Sequence, residues 1–179
     1  MTLSDPRVAI FIDGPNLYKS TEGLFGKGRG QVDILSLIDF LKQGRTLVHC
    51  SYWTAPLNQR VDPQRYAAQQ RFFRYLERLP EVVVGRGHMR NYGGVWKEKG
   101  VDVGLAIDLL MYAGMDWYDI GVLVTGDGDL AKAVSVAVQI FKKQVEVVGV
   151  EGRMSWHLRK QASRYRILKR QDLEPLLLK

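Results

Sequence analysis

Short apolar runs alternate with amphipathic stretches along the chain, and this alternation restricts the possible fold more than any other feature. The apolar runs at residues 7–13, 118–124 and 145–150 are typical of buried strands, whereas residues 33–42 and 128–143 have helical spacing. Strands that alternate with helices favour a parallel sheet with helices on both faces. We therefore predict an α/β, Rossmann-like fold whose parallel sheet has five to six strands.

The length and composition favour one domain spanning residues 1–179. An apolar fraction of 46% is ordinary for a globular protein, and 179 residues are enough to bury a core. No apolar run approaches the roughly 20 residues that cross a bilayer, and the N-terminus lacks the pattern of a signal peptide. Cys50 is the single cysteine, which excludes a disulfide within the chain. We expect a cytoplasmic protein that does not associate with membranes.

The charge is basic and unevenly distributed. The net charge is +7, and the basic residues cluster in segments 85–100 and 152–170, the second of which has seven basic residues and no acid. A basic balance can serve solubility alone, but clustering favours a polyanionic partner such as nucleic acid.

Aspartates follow two of the predicted strands at the points where those strands end. Asp13 closes the strand at residues 7–13, and Asp127 and Asp129 follow the strand at 118–124 in the segment TGDGD. Ligands of parallel α/β sheets bind outside the carboxyl ends of the strands, so these side chains converge if their strands are neighbours. Converging carboxylates repel one another unless a cation is present, and oxygen ligands of this kind select Mg²⁺ or Mn²⁺.

Each of these motifs also has a structural explanation. An Asp-Gly pair such as Asp13-Gly14 is common in turns, and Asp129 is suited to capping the helix that follows it. Gly126 and Gly128 are expected to let the backbone turn sharply and approach a ligand closely. The occurrence of two such motifs at strand ends nevertheless favours a metal site.

The segment KEKGVDVGLAIDLL adds two acids, Asp102 and Asp108, on a predicted helix over residues 101–113. Asp102 stands at the helix start, where capping is an alternative to metal binding. Asp108 shares a stripe with Leu105 and Met111 on the face that should be buried, and an acid there requires a partner or a metal. A separation of six residues does not put both acids on one face, so Asp102 joins the cluster only if the helix start turns it inward.

Three motifs in register, FIDGPNLY, KGVDVGLAIDLL and VLVTGDGDL, resemble those of NYN domains in the PIN-like nuclease superfamily, most closely the bacterial LabA-like group. The resemblance covers residues 7–150, and the basic segment 152–179 is a poorer match that we assign to the same domain. It implies a PIN-like version of the predicted fold and a metal-dependent ribonuclease that hydrolyses phosphodiester bonds. A non-catalytic RNA-binding or regulatory module and a metal-dependent phosphatase are the alternative functions.

The resemblance also implies roles for individual residues. The residues implied for catalysis are Asp13, Asn16, Asp102, Asp127 and Asp129. The four aspartates of that set would hold Mg²⁺ or Mn²⁺, and Asp108 is a fifth candidate ligand because an acid on a buried helix face needs a counter-charge. Capping of a helix is the alternative role for Asn16.

Single-stranded RNA is the expected partner. Residues 85–100 are predicted to form a glycine-rich loop whose aromatic side chains stack on bases and whose basic side chains meet phosphates. The expected nucleic-acid contacts are Arg90, Tyr92, Trp96, Lys97 and Lys99 from this loop and Thr125, which keeps the hydroxyl of the family's usual serine. Packing of Trp96 against the domain, and a solvated Lys99, are the alternatives. Apolar residues at 24–25 or 176–178 either serve a homodimer or pack within the fold.

Overall fold

A computed structural model describes residues 5–178 of the chain. The strands are β1 (Arg7–Asp13), β2 (Thr46–Thr54), β3 (Val82–Arg86), β4 (His88–Tyr92), β5 (Val95–Lys99), β6 (Ile120–Val124), β7 (Gln144–Val150) and β8 (Arg164–Leu168). The helices are α1 (Gly14–Phe25), α2 (Ile34–Lys42), α3 (Pro63–Leu76), α4 (Val101–Gly114), α5 (Ala131–Gln139), α6 (Trp156–Gln161) and α7 (Arg170–Leu173). Short 3-10 turns at Gly128–Leu130 and Glu174–Leu176 precede α5 and follow α7.

Six strands form one parallel sheet in the order β3-β2-β1-β6-β7-β8. This confirms the predicted α/β fold with a sheet of five to six parallel strands. Strands β1 and β6 are neighbours, and their register pairs Ile12 with Val124. The residues that follow these two strands therefore emerge side by side at the carboxyl edge of the sheet, which is the arrangement that a shared site requires.

The central strand β1 is buried on both faces, as its unbroken apolar sequence predicts. Ile10 and Ile12 pack on the side of α1, α2 and α3, whereas Ala9 and Phe11 pack on the side of α4, α5 and α6. Alternate residues of a strand point to opposite faces, so one short segment contributes to two hydrophobic cores. The aspartate at the end of this strand is consequently held on a rigid support.

Several local predictions need correction. Residues 85–100 are not a loop, because β4 and β5 pair as an antiparallel hairpin. The helix predicted over 128–143 is a 3-10 turn followed by α5, which ends at Gln139. Of the two expectations for residues 24–25 and 176–178, packing within the fold holds for Leu24, Phe25, Leu176 and Leu177, whereas Leu178 is 49% exposed.

Apolar side chains are instead exposed along α4. Val103, Ile107 and Met111 are 64%, 56% and 44% exposed and lie one turn apart on this helix.

Within residues 5–178, no helix is both long enough and apolar enough to cross a membrane.

Candidate metal centre

A cavity of about 340 Å³ opens at the carboxyl edge of the sheet, where β1 and β6 end. We call it the acid pocket. Its lining residues are Asp13, Asn16, Lys19, Ser20, Glu98, Asp102, Gly126, Asp127, Gly128 and Arg153. The structure thus brings three of the four predicted aspartates to one cavity, together with the predicted Asn16.

Asp13 is the most deeply buried acid of the pocket, with 3% of its surface exposed. One carboxylate oxygen accepts a hydrogen bond from the backbone N–H of Asn16 at 3.0 Å, and the other accepts one from the Thr125 hydroxyl at 2.8 Å. Burial nevertheless raises the pKa of Asp13 to about 6, with smaller contributions from the negative charges of Asp102 and Glu98. Both donors are neutral, so the carboxylate is held in place without an ion pair.

Thr125 and Asn16 fix this arrangement. Thr125 is 2% exposed, and its hydroxyl donates to Asp13 and accepts from the backbone N–H of Asp127 at 3.2 Å. Its buried and bonded hydroxyl gives no support to the expected contact between Thr125 and nucleic acid, which stays a prediction. The side-chain oxygen of Asn16 accepts a hydrogen bond from the backbone N–H of Gly126 at 2.9 Å, which ties α1 to the turn after β6.

The other aspartates enter from two further elements. Gly100, not Asp102, is the N-cap of α4, and Asp102 lies in the first turn with its side chain at the pocket. Burial raises the pKa of Asp102, and the charges of Asp127, Glu98 and Asp129 raise it further. Asp127 rather than Asp129 acts as the cap of the following turn, since its carboxylate accepts from the Asp129 N–H at 3.0 Å. Asp129 is exposed and does not line the cavity.

Gly126 and Gly128 are required for a reason other than the predicted one. Neither residue has a positive φ, so the turn does not need glycine for its backbone conformation. A Cβ on Gly126 would lie 1.8 Å from the carbonyl oxygen of Arg153, and one on Gly128 would lie 2.7 Å from the hydroxyl of Ser155. Both positions are glycine because the segment after β7 packs directly against the turn, where it forms a wall of the pocket.

Comparison with known proteins identifies the family of the chain. A family model described as the NYN domain matches residues 7–169. The chain belongs to the NYN domain family. The match extends beyond the predicted 7–150 and includes β8, which pairs with β7 in the sheet.

A solved structure shares the overall fold of this chain. A protein of unknown function from Vibrio parahaemolyticus has 24% sequence identity to this chain and a TM-score of 0.73, and the alignment covers 94% of this chain and 96% of that one. The chain matches no curated protein. The finer resemblance to the LabA-like group stays a prediction.

Four residues of the acid pocket were not predicted from the sequence: Lys19, Ser20, Glu98 and Arg153. Lys19 and Ser20 follow Asn16 by three and four residues on α1, and this helical spacing is a signal that they share its face. Glu98 arrives on β5, where it forms an ion pair with Lys19 at 3.5 Å. No local signal marks Arg153, which reaches the pocket through the packing of its segment on Gly126.

Asp108 lies outside the pocket. Its carboxylate accepts hydrogen bonds from the Ser51 hydroxyl and the Trp53 indole, both at 2.7 Å. The sequence predicted that a half-buried acid on this helix needs partners, and these two residues of β2 are those partners. The structure therefore gives no support to Asp108 as a metal ligand.

The hairpin divides the predicted RNA contacts between two faces. Residues that alternate along a strand, and residues paired across strands, share a face. Arg90, Tyr92, Lys97 and Lys99 share one face, where the Arg90 guanidinium and the Lys99 amine lie 5.4 and 5.9 Å from the centre of the Tyr92 ring. Trp96, which is 38% exposed, lies on the opposite face with the pocket residue Glu98.

The carboxylates of the acid pocket fit a hydrated divalent cation. Among residues 5–178, no three His, Cys, Asp or Glu side chains are close enough to surround one ion directly. Mg²⁺ commonly keeps several water ligands and uses only one or two carboxylates, so a polar cavity with Asp13, Asp102 and Asp127 around it suits such an ion. Burial is the main cause of the raised pKa values of Asp13 and Asp102, the neighbouring carboxylates add to it, and the positive charge of a bound cation would offset both effects.

Proposed function

We propose that this NYN domain hydrolyses phosphodiester bonds of single-stranded RNA, using Mg²⁺ or Mn²⁺ held by Asp13, Asp102 and Asp127. The observation that carries this proposal is the acid pocket itself. A buried carboxylate with a raised pKa stands in a cavity with two other aspartates and with Lys19 and Arg153. NYN domains are generally nuclease-related, and nucleases of this superfamily usually depend on divalent metals.

The residues of the chain have separate tasks in this reaction. Asn16 and Thr125 orient Asp13 through the hydrogen bonds described above. Lys19 and Arg153 line the same cavity and attract the negative charge of the scissile phosphate. A divalent ion bound there would lower the pKa of an attacking water and neutralise negative charge on the phosphate. Asp129 increases the negative potential around Asp102 from its exposed position.

RNA is proposed as the substrate because the pocket is flanked by a surface suited to single strands. The β4–β5 hairpin places Trp96 on the same face as Glu98, and Tyr92 with the basic side chains on the opposite face, and aromatic rings with adjacent cations bind unpaired bases and phosphates. The basic segment contributes to this surface through Arg153. Arg166 and Arg170 do not, because they lie over the rings of Phe40 and Phe25 on α2 and α1.

The proposal is tested with a fluorescently labelled single-stranded RNA, purified protein and either Mn²⁺, Mg²⁺ or a chelator. We expect cleavage that depends on the metal and that is abolished in Asp13→Asn and in Asp127→Asn. Asp39→Asn is the matched control, because Asp39 is an α2 aspartate whose partner is Lys42 rather than a pocket residue. Cleavage that persists in both pocket variants would contradict the proposed site.

The same experiment distinguishes the alternative functions. RNA binding that weakens with salt but is not followed by cleavage indicates a non-catalytic module. Hydrolysis of a small phosphomonoester without cleavage of RNA indicates a phosphatase. A second readout is independent of turnover: Mn²⁺ should raise the melting temperature of the wild-type protein more than that of Asp13→Asn, because an ion that binds only the folded state stabilises it.

A further inference from the structure

A second cavity, of about 510 Å³, adjoins the acid pocket. It lies between α1 and α3, and we call it the aromatic cavity. Lys19 and Glu98 line both cavities, so that the Lys19–Glu98 ion pair stands at their boundary. A molecule whose phosphate occupies the acid pocket can therefore place its adjoining part in the aromatic cavity.

The walls of the aromatic cavity suit a flat, unsaturated ring. Tyr18, Tyr52 and Phe72 contribute aromatic surface, and the rings of Tyr52 and Phe72 meet edge to face with centroids 5.5 Å apart. Leu17 and Ile34 add aliphatic surface. A volume of this size and a mainly apolar lining with few polar groups are typical of sites that enclose a small molecule.

Two hydroxyl groups in the lining have no partner. Tyr52 and Thr54 are only 8% and 6% exposed, and neither side-chain hydroxyl makes a hydrogen bond to any residue between 5 and 178. Neither hydroxyl oxygen is fully enclosed, since among the described residues the Arg159 Nε is the buried side-chain atom without a partner, so both hydroxyls face the cavity and are free to bond a ligand or water that enters it. A hydroxyl both donates and accepts, as the edge of a nucleobase requires.

Two other polar side chains of the lining, those of Gln69 and Thr21, are already paired within the protein. The Gln69 amide accepts from the Leu57 N–H at 2.7 Å and donates to the Ala55 carbonyl at 3.1 Å. The Thr21 hydroxyl donates within its own helix to the Leu17 carbonyl at 3.0 Å. These groups shape the wall and have little capacity left for a ligand.

Gly14 connects the cavity to the acid pocket. It follows Asp13 directly, and a Cβ at this position would lie 2.6 Å from the Tyr52 ring and from its hydroxyl oxygen. The absence of a side chain lets Tyr52 lie immediately beside the backbone that presents Asp13. The free hydroxyl of Tyr52 is thus part of the same local structure as the proposed metal site.

We propose that the aromatic cavity binds one nucleobase of the single strand whose phosphate lies in the acid pocket, with Tyr52 and Thr54 contacting the base edge. This inference rests on the proposed function and adds the substrate group that the site recognises beside the scissile phosphate. A base enters such a cavity only when it is unpaired and unstacked from one neighbour, which gives a physical reason for single-strand selectivity.

The test measures binding of ribonucleoside 5′-monophosphates and of ribose 5-phosphate to full-length Asp127→Asn protein by calorimetry. We expect the nucleotides to bind at least about tenfold more tightly than the base-free compound. Adding Tyr52→Phe with Thr54→Val removes two hydrogen-bonding groups and should lower nucleotide affinity about tenfold. Ribose 5-phosphate should bind equally to all variants. Thr46→Val is the matched control, since Thr46 begins the same strand, β2, and lines neither cavity, and it should keep the parental affinity.

Three results would overturn the inference. These are equal affinities for nucleotides and ribose 5-phosphate, an unchanged nucleotide affinity in the Tyr52 and Thr54 double substitution, and failure of a single-stranded oligonucleotide to displace a bound nucleotide. The last result would mean that the cavity serves free nucleotides. Cleavage by the wild-type protein is measured separately, so absent hydrolysis with intact base recognition contradicts the proposed function, whereas hydrolysis without base recognition contradicts the cavity.

Discussion

The side-chain oxygen of Asn16 accepts a hydrogen bond from the backbone N–H of Gly126 at 2.9 Å, across a sequence separation of 110 residues. The bond joins the start of α1 to the turn after β6. It therefore connects the two strand ends that supply Asp13 and Asp127. The geometry of the acid pocket depends on this cross-link as well as on the sheet register.

Asn16→Ala should loosen the turn, because it leaves the buried Gly126 N–H without an acceptor. We expect the free energy of unfolding to fall by about 1–2 kcal/mol, which urea denaturation measures. Metal affinity should fall as well, whereas Asn16→Asp, which keeps an acceptor oxygen, should recover most of the stability. Equal losses of unfolding free energy in both variants would mean that the side-chain amide nitrogen of Asn16, and not its acceptor oxygen, stabilises the turn.

Asp13→Asn should change how stability depends on pH in the absence of metal. The pKa of Asp13 is raised to about 6 in the folded protein, so the folded state holds its proton more tightly than the unfolded chain does. Stability is therefore lost as pH rises from about 4 to about 6, by roughly 3 kcal/mol for this one group. The variant lacks this loss. Its unfolding free energy minus that of the wild type should therefore be more positive at pH 7.5 than at pH 4.

The measurement is urea denaturation of both proteins at the two pH values with a chelator present. Comparing variant with wild type cancels the titration of other groups, such as Asp116 and Asp119, whose pKa values are lowered by Arg7 and Lys143. Parallel pH profiles for the two proteins would argue against a destabilising charge at Asp13. Added Mn²⁺ should restore stability to the wild type at pH 7.5 and have less effect on the variant.

Thr125→Val tests the positioning role assigned to that hydroxyl. The variant removes the donor to Asp13 and leaves a buried carboxylate with one fewer hydrogen bond, which costs about 1–3 kcal/mol. Cleavage should fall while the affinity for single-stranded RNA stays unchanged, and Thr125→Ser should retain both. A selective loss of RNA affinity would instead favour direct contact with nucleic acid.

Lys97→Ala tests the hairpin as an RNA surface. We expect weaker binding of single-stranded RNA and a salt dependence whose slope, in log affinity against log salt, falls by about 1. Arg74→Ala is the control, since Arg74 is exposed at the end of α3, where the chain approaches the opposite edge of the sheet. Fluorescence anisotropy over a series of salt concentrations measures both variants, and equal slopes would exclude a phosphate contact at Lys97.

The residues at strand ends were predictable because their position follows from local pattern and from the rule for parallel sheets. Asp13 and Asp127 are of this kind. Asp102 needed the family resemblance, since helical spacing does not reveal that the start of α4 faces the pocket. Arg153 and Glu98 were not predicted, because they depend on tertiary packing of a loop and on a hairpin.

The hairpin itself had a sequence signal that was misread. Gly93 and Gly94 lie between Tyr92 and Val95 and have φ values of 60° and 91°, which only glycine adopts freely at consecutive positions. A Gly-Gly pair between two short stretches is a recognised hairpin signal. Prediction of a loop from the glycine content alone misses this pairing, and it therefore does not separate the two faces on which the expected RNA contacts lie.

The contact between Gly126 and the carbonyl of Arg153 gives a criterion for reading related sequences. A relative that keeps this glycine but lacks an aspartate of the pocket should retain the same assembled wall with altered chemistry. A relative that keeps every aspartate but carries a larger residue here cannot seat the segment after β7 in the same place, and its pocket must have a different shape. The glycine therefore reports on the architecture of the site, while the aspartates report on its chemistry, and the two can be inherited separately.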